Sequence, residues 1–478
     1  MTEEIAEVQK VEEGANDDRK HLRPQIVASI IATLPLLACG FMLAWPTPSL
    51  PKLEEKSSRL HLTSNQGAWV VTAMPIGACF GPILSALLLD LIGRKWFLYL
   101  TSVPFLICWV LTLIAGSWVE LFVGRLVGGI SVGALFAMVP IYLGEIVETK
   151  IRGASNTMMP LLLNLGIMIV YGVGPRVDEK ILVYISMIPT IVFILTFLWL
   201  PESPYYYLQK GNRKSAELAL IWLRGTKDNT DELDEMSTFV KEQQDGSLKE
   251  IFTDRAYRKA LLILLLLMTG QQLSGLIAIH AYAGLLLQNV TSAITTNMAL
   301  IILGGVALIA SIASAFVVDM FGRKPLYLIS AFVCTLCLGI VGSYFLLEHL
   351  KMNVKSFSWA PLAALVVYFG SHSLGLAPIP FVVSSEIFPI RVKSLANTIA
   401  IIYGFILAII VSKCYQIVID AAGFHTVFYG FALITLVVAI VAAVVMPETS
   451  RKSFADIQMI LHNPAAHKQP KDKEAGSK

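Results

Sequence analysis

"DLIGRK" at residues 90–95 and "DMFGRK" at residues 319–324 are one pattern written twice, 229 positions apart. Each follows a long apolar block and holds an acid, a glycine and an adjacent basic pair. The glycine supplies the positive φ that a tight turn between two helices needs. The acid, Asp90 or Asp319, can cap a helix end or pair with a base. Two further pairs of segments lie in register with the first. "PESP" (201–204) and "PETS" (447–450) each close an apolar block, and "YLGEIVETKIRG" (142–153) answers "VSSEIFPIRVKS" (383–394). Three such pairs at nearly one offset describe a duplicated chain with parallel halves.

The chain of 478 residues is 55% hydrophobic and 15% charged, against about 25% charged in a soluble domain. Mean hydropathy is +0.68. The apolar residues gather in blocks of about twenty, the length that crosses a hydrocarbon core of about 30 Å. Twelve blocks lie near 25–46, 68–89, 96–116, 119–143, 155–175, 181–201, 260–287, 297–318, 325–347, 359–385, 394–419 and 424–446. The fold class expected is an all-α membrane protein, twelve transmembrane helices in two pseudo-symmetric six-helix halves, which is the major facilitator plan. The layout is an N-terminal tail 1–24, a first half 25–201, a linker 202–259, a second half 260–446 and a C-terminal tail 447–478. In the linker, Ala216, Leu220 and Leu223 share one helical face, which reads as a short amphipathic helix on the inner membrane face and not as a catalytic domain. Residues 1–22 and 462–478 are polar and read as disordered.

The net charge of +3 is small, and its placement is more informative. With the N-terminus inside, 28 of the 37 Lys and Arg fall on inner segments and seven on the other face. The positive-inside rule then puts both termini and the linker in the cytosol. No cleavable signal peptide is visible. All six cysteines lie in apolar blocks and read as free thiols. Without a metal cluster, nucleophile triad or phosphate loop, the sequence reads as no enzyme, with no cofactor and no nucleic-acid partner.

Some polar groups sit where hydrocarbon would penalise them. Gln271 and Gln272 lie about 11 residues into the seventh block, roughly 16 Å deep at 1.5 Å per residue. Two amides offer donors and acceptors together, which suits a polyhydroxylated ligand. Bonding between helices is the other use of such amides. Adjacent residues point about 100° apart on a helix, so one can face a cavity and the other a neighbour. Gly375, Pro378 and Pro380 in "GLAPIPF" break the tenth block as a hinge where a helix lines a cavity, or as a packing kink. Glu145, Arg152, Glu202, Arg323, Glu386, Arg391 and Glu448 gather at inner helix ends. Pairs between the halves would latch the inner side; alone, each exposed pair contributes about 0–1 kcal/mol. Solvated surface charge is the plainer alternative. His280 is the intramembrane group that titrates near neutral pH, and it lies toward the outer mouth as a gate or hydrogen-bond partner. Lys413 and Arg125 fall near outer ends of spans, where a long basic side chain reaches the interface. Asn289-Val-Thr291 is a glycosylation sequon in a short outer loop, close to the membrane.

Taken together, "DLIGRK", "GRLVGGI" (124–130), "VPIYLGE" (139–145), "PESP", "GQQLSG" (270–275), "PIPF", "SSEIFP" (384–389) and "PETS" resemble the sugar porters of the major facilitator superfamily over nearly the whole chain. "GAWVVTAMPIG" (67–77), "LNLGI" (163–167) and "VSKCYQ" (411–416) are most like the insect facilitated trehalose transporters within it. The resemblance implies transport of a small sugar across the plasma membrane, by alternating access, with the lipid bilayer as the other partner and a monomer as the working unit. It implies that Gln271 and Gln272 bind sugar, with Asn164, His280, Tyr282, Phe381 and Phe405 at related positions. It assigns the latch to Asp90, Arg94, Glu145, Arg152, Glu202, Asp319, Arg323, Glu386, Arg391 and Glu448. Several of the family's sugar contacts are replaced: Pro160, Ile277, Ala281, Ala307, Ser373, Phe381 and Gly404-Phe405 stand where it has polar or aromatic groups. Tyr205 follows "PESP" in place of an arginine. Met42 stands where proton-coupled relatives carry an acid, and no Asp or Glu lies deep in a span, so uniport is expected. A less polar organic solute, or a non-transporting sensor, are the alternatives.

Overall fold

The computed structural model describes residues 2–55, 58, 60–226, 229–242, 248–288, 295–450, 452, 457 and 459–461. The side chains of Arg152, Asp319 and Arg391, and the whole of Asn289, lie outside the described residues. Among the described residues twelve helices are long and apolar enough to cross a membrane. The first six spans are Leu22–Glu54, Ser64–Ile92, Arg94–Ile114, Trp118–Ile146, Thr157–Arg176 and Glu179–Phe197. The second six are Arg255–Leu287, Thr296–Val318, Arg323–His349, Ala360–Ile387, Val392–Ala422 and Phe424–Val445. Most overrun their apolar blocks, because a helix continues through polar residues until something stops it. The first helix begins at Thr2, in the segment that reads as disordered. Its Glu-rich sequence favours helix and runs on into the first span.

The chain forms two compact units, Met1–Gln244 with His280–Leu285, and Asp245–Ile279 with Leu286–Lys478. In the first unit, lipid-like surroundings give helices no hydrophobic reason to associate, so close backbone approach does that work. Gly77 and Gly81 of the second span face Gly129 and Gly133 of the fourth. A Cβ on Gly77 would run into the carbonyl of Leu126, and one on Gly133 into that of Ala78. These are two Gly-x-x-x-Gly stripes, meeting across one helix pair. Gly40 and Gly166 do the same for the first and fifth spans. The linker helix Arg213–Arg224 buries Ala216, Leu220 and Leu223. Ala216 and Leu220 cluster with Leu233, Met236, Tyr205, Tyr207 and Leu208. The stripe that reads as membrane-facing is thus covered by protein, because the helix Thr230–Glu242 supplies a matching apolar face.

In the second unit two spans are broken. The seventh is two helices, Arg255–Leu273 and Leu276–Gln288, divided where Gly275 adopts φ +87°. Phe431 fills the place a side chain would take on Gly275. The tenth runs Ala360–Ser371, then a π-turn His372–Leu376, then Ile379–Ile387. Backbone groups freed by such breaks need partners inside the protein. Pro378 has no N–H for the carbonyl one turn back, and Ser314 Oγ donates to Leu374 O at 3.0 Å instead. Ser330 Oγ accepts from Leu376 N at 3.1 Å and donates to Ser371 O at 2.6 Å. Gly375 lies at this repair point, and a Cβ there would come 2.8 Å from Leu326 O.

Gly375→Ala therefore forces the ninth and tenth spans apart and should cost about 1–3 kcal/mol. A thermal melt of the purified protein checks this. An unchanged melting temperature would mean that Gly375 is only a flexible joint.

Candidate functional site

At the basic end of the first unit, Glu202 stands at the start of the helix that opens with Arg94. It accepts the N–H of Arg94 at 3.0 Å, of Lys95 at 2.9 Å and of Ser203 at 2.8 Å. The first turn of any helix has N–H groups with no partner in the helix, and a carboxylate there also meets the positive end of the dipole. Gly93, at φ +90°, makes the turn, and Glu202 Oε2 occupies the space a Cβ would need. The glycine of the D-x-x-G-R-K pattern thus serves both the turn and the approach of a carboxylate from "PESP". The Arg94 side chain reaches Glu145 at 3.0 Å and Asp90 at 3.4 Å.

The second unit repeats the arrangement. Glu448 accepts from Arg323 N and Lys324 N, both at 3.0 Å, and from Ser450 N at 2.8 Å. Arg323 pairs with Glu386 at 2.8 Å, and Gly322 turns at φ +85°. The sequence suggests pairs between the halves. Among the described residues, Arg94 and Arg323 pair with carboxylates of their own unit, and Glu202 and Glu448 answer backbone N–H groups there, one triad to each unit. Sequence reasoning missed a neighbouring network. Gln25 and Glu148 bond reciprocally, at 2.7 and 3.0 Å, and Arg224 reaches Glu148 at 3.3 Å and Glu232 at 2.6 Å. The buried amide at the start of the first apolar block was its only visible signal.

Deep in the second unit, the two glutamines part ways. Gln271 is buried, and its Nε2 donates to Ala377 O at 2.7 Å, at the break in the tenth span. Ser274 Oγ bonds Gln271 O at 2.8 Å, and Tyr368 OH donates to Ser274 O at 3.0 Å. Gln272 is half-buried and donates weakly to Gln271 Oε1 at 3.3 Å. Its side-chain Oε1 accepts no hydrogen bond among the described residues. Gly404 lies against this side chain, and a Cβ there would sit in ordinary contact, 3.6 Å from Gln272 Nε2. Phe405 and Phe381 are half-buried in the same unit.

In the first unit, Asn164 bonds Pro160 O at 3.0 Å, within its own helix. His280 and Tyr282, in the segment that groups with this unit, are buried. Tyr171 OH lies 2.8 Å from His280 Nδ1 and 3.2 Å from His280 O, which also accepts from Thr47 Oγ1. His280 is therefore engaged by protein groups. Tyr171 and Thr47 carry no sequence signal beyond being polar in apolar blocks.

The sequence pattern of the family described as sugar (and other) transporter matches residues 27–461. The chain belongs to this family. This sugar-transporter family member is 32% identical to the facilitated trehalose transporter Tret1 of Aedes aegypti, over 91% of this chain and 54% of that protein. The chain thus spans about half the length of that relative. It is 31% identical to the Tret1 proteins of Culex quinquefasciatus, over 91% of this chain and 85% of that one, and of Bombyx mori, over 91% and 86%. The xylose transporter XylE from E. coli, in a partially occluded inward-open conformation, superposes with a TM-score of 0.77 at 21% identity, over 90% of this chain and 99% of that one. XylE bound to 6-bromo-6-deoxy-D-glucose gives 0.77 at 20% identity, over 92% and 100%. The fold is that of the major facilitator superfamily.

The two triads of this family member are not electrostatically equal. Burial raises the Glu202 carboxyl above its ordinary range, against the pull of the Lys95 and Ser203 N–H groups and the Arg94 charge. Burial also pushes Glu448 up, but the N–H groups of Ser450, Arg323, Lys324 and Thr449 outweigh it and hold Glu448 below that range. The Glu448 carboxylate thus adds stability above its unfolded pKa, lost as pH falls through its lower folded value. Folding disfavours the charged form of Glu202, so its neutral form is the stabilised one, and that advantage is lost as pH rises through its folded value. Near neutral pH, Glu448→Gln should lower the melting temperature more than Glu202→Gln, and the gap should narrow toward the carboxylate range. Equal shifts at every pH would refute the asymmetry.

Proposed function

We propose that this chain is a facilitative uniporter for a small sugar, such as trehalose or a hexose, working as a monomer by alternating access in the plasma membrane, with both termini in the cytosol. The observation that carries the reading is Gln272. It lies beside the break in the seventh span, half-buried, with a side-chain Oε1 that no donor among the described residues takes up and the small Gly404 beside its amide. A half-buried acceptor that the protein leaves without a partner is open to a ligand or water. Sugar hydroxyls can donate to it. The names of the insect relatives support trehalose, and the bias of Lys and Arg supports the orientation.

Uniport is supported by Arg125, which is buried near the outer end of its span. It donates to Val70 O at 2.9 Å and Met42 O at 3.1 Å and stands 5.4 Å from the ring of Trp45. Its charge is satisfied by carbonyl dipoles and an aromatic face, which do not titrate. A carboxylate partner would have linked it to protons.

Uptake of labelled trehalose and glucose into proteoliposomes tests the proposal. Saturable flux should appear without dependence on a pH gradient. Gln272→Ala should raise KM about tenfold, the equivalent of about 1.4 kcal/mol. Gln271→Ala should also lower the melting temperature, since it frees Ala377 O. Absence of saturable flux in folded protein would sink the reading. A second reading, a less polar organic solute, is favoured by the apolar Ile277, Phe381 and Phe405 in place of the family's polar contacts. Thermal stabilisation by apolar solutes and not by sugars would decide for it.

A further inference from the structure

We propose that His349 and His425 form a binding site for a borderline first-row divalent cation, Zn²⁺ foremost, at the ends of the ninth and twelfth spans away from the G-R-K turns. His349 closes the ninth span, and His425 is the second residue of the twelfth. Their ring centres lie 5.0 Å apart, with planes inclined at 36°. Two imidazoles on one tetrahedral ion, with Zn–N of about 2.0–2.1 Å, have ring centres about 5 Å apart. The protein already holds the pair at that separation.

The helices beneath fix this spacing. Phe345, one turn before His349, stacks on Phe424 at 4.9 Å and on Phe428 at 6.0 Å. Ser343 Oγ and Tyr429 OH lie 3.0 Å apart across the same helix pair. Gly423, at φ +83°, turns the chain into the twelfth span, and His425 Nδ1 lies 3.2 Å from where its Cβ would stand. Among the described residues no hydrogen bond or ion pair occupies either imidazole, so both rings keep nitrogens for a ligand. His349 is exposed, which gives an ion access from water. Neutral imidazole nitrogens suit Zn²⁺, Ni²⁺ and Cu²⁺ better than Mg²⁺ or Ca²⁺. No group of three or more His, Cys, Asp or Glu that could hold a metal occurs among the described residues, so water completes the coordination. The site is then a reversible clamp on two helix ends of one unit. It acts on stability and is independent of the substrate.

The test uses the full-length purified chain, stripped with a chelator, and ZnCl₂ alone as probe. Titration calorimetry should find one ion per chain, and the melting temperature should rise saturably with ZnCl₂. His349→Gln and His425→Gln should each weaken binding about tenfold or more, since each removes one of two protein ligands. His61→Gln, in the other unit, should change nothing. Should either variant misfold, a second probe on the unaltered protein serves instead: MgCl₂ alone should neither bind nor raise the melting temperature, since neutral imidazole is a poor ligand for it. No Zn²⁺ binding by the unaltered chain, binding unchanged in both single variants, or a melting temperature that MgCl₂ raises as ZnCl₂ does would each overturn the proposal.

Discussion

Everything in this fold answers one constraint: in hydrocarbon, a backbone N–H or C=O must find its partner inside the protein. Unbroken helices meet it at no cost, and most of the chain is built that way. The informative places are the few where a helix stops. At Gly275 and across His372–Leu376 the i→i−4 ladder fails, and nearby side chains take over. Ser314, Ser330, Ser274 and Gln271 all bond backbone carbonyls within this one region. A cluster of broken helices and borrowed partners gives a polar interior in an apolar protein. That is where a hydroxylated ligand could exchange one set of hydrogen bonds for another.

The same constraint explains the helix ends. Glu202 and Glu448 are caps first and ion-pair partners second, since their closest contacts are backbone N–H groups. A carboxylate held by three donors cannot leave without orphaning them. Arg94 and Arg323 are correspondingly anchored to Glu145 and Glu386 in their own units. Each half is thereby stiffened as a body. That is what a fold whose halves repeat needs if motion is to occur as rigid units.

Repetition has not kept the halves identical. The Gly-x-x-x-Gly contact of the second and fourth spans belongs to the first unit, whereas the π-turn and the break at Gly275 belong to the second. Burial dominates at Glu202 and backbone donors dominate at Glu448, so equal motifs give unequal electrostatics. The first unit is held by close backbone contact, and the second carries most of the polar machinery.

Hydropathy, the doubled D-x-x-G-R-K, "PESP" and "PETS" segments and the count of apolar blocks determined twelve helices in two related halves, because crossing a bilayer leaves a chain little freedom of length or secondary structure. Depth along a helix likewise marked Gln271 and Gln272 as polar groups needing partners. Only the tertiary structure decided which partner each one has: Ala377 O for Gln271, and Gln271 Oε1 for Gln272. It alone showed that Glu202 and Glu448 cap helices, that Arg224 reaches Glu148, and that His349 meets His425. Apart from the adjacent glutamines, these pairings join residues from 76 to 125 positions apart, and spacing along one chain does not reveal which distant donor will fold against which acceptor.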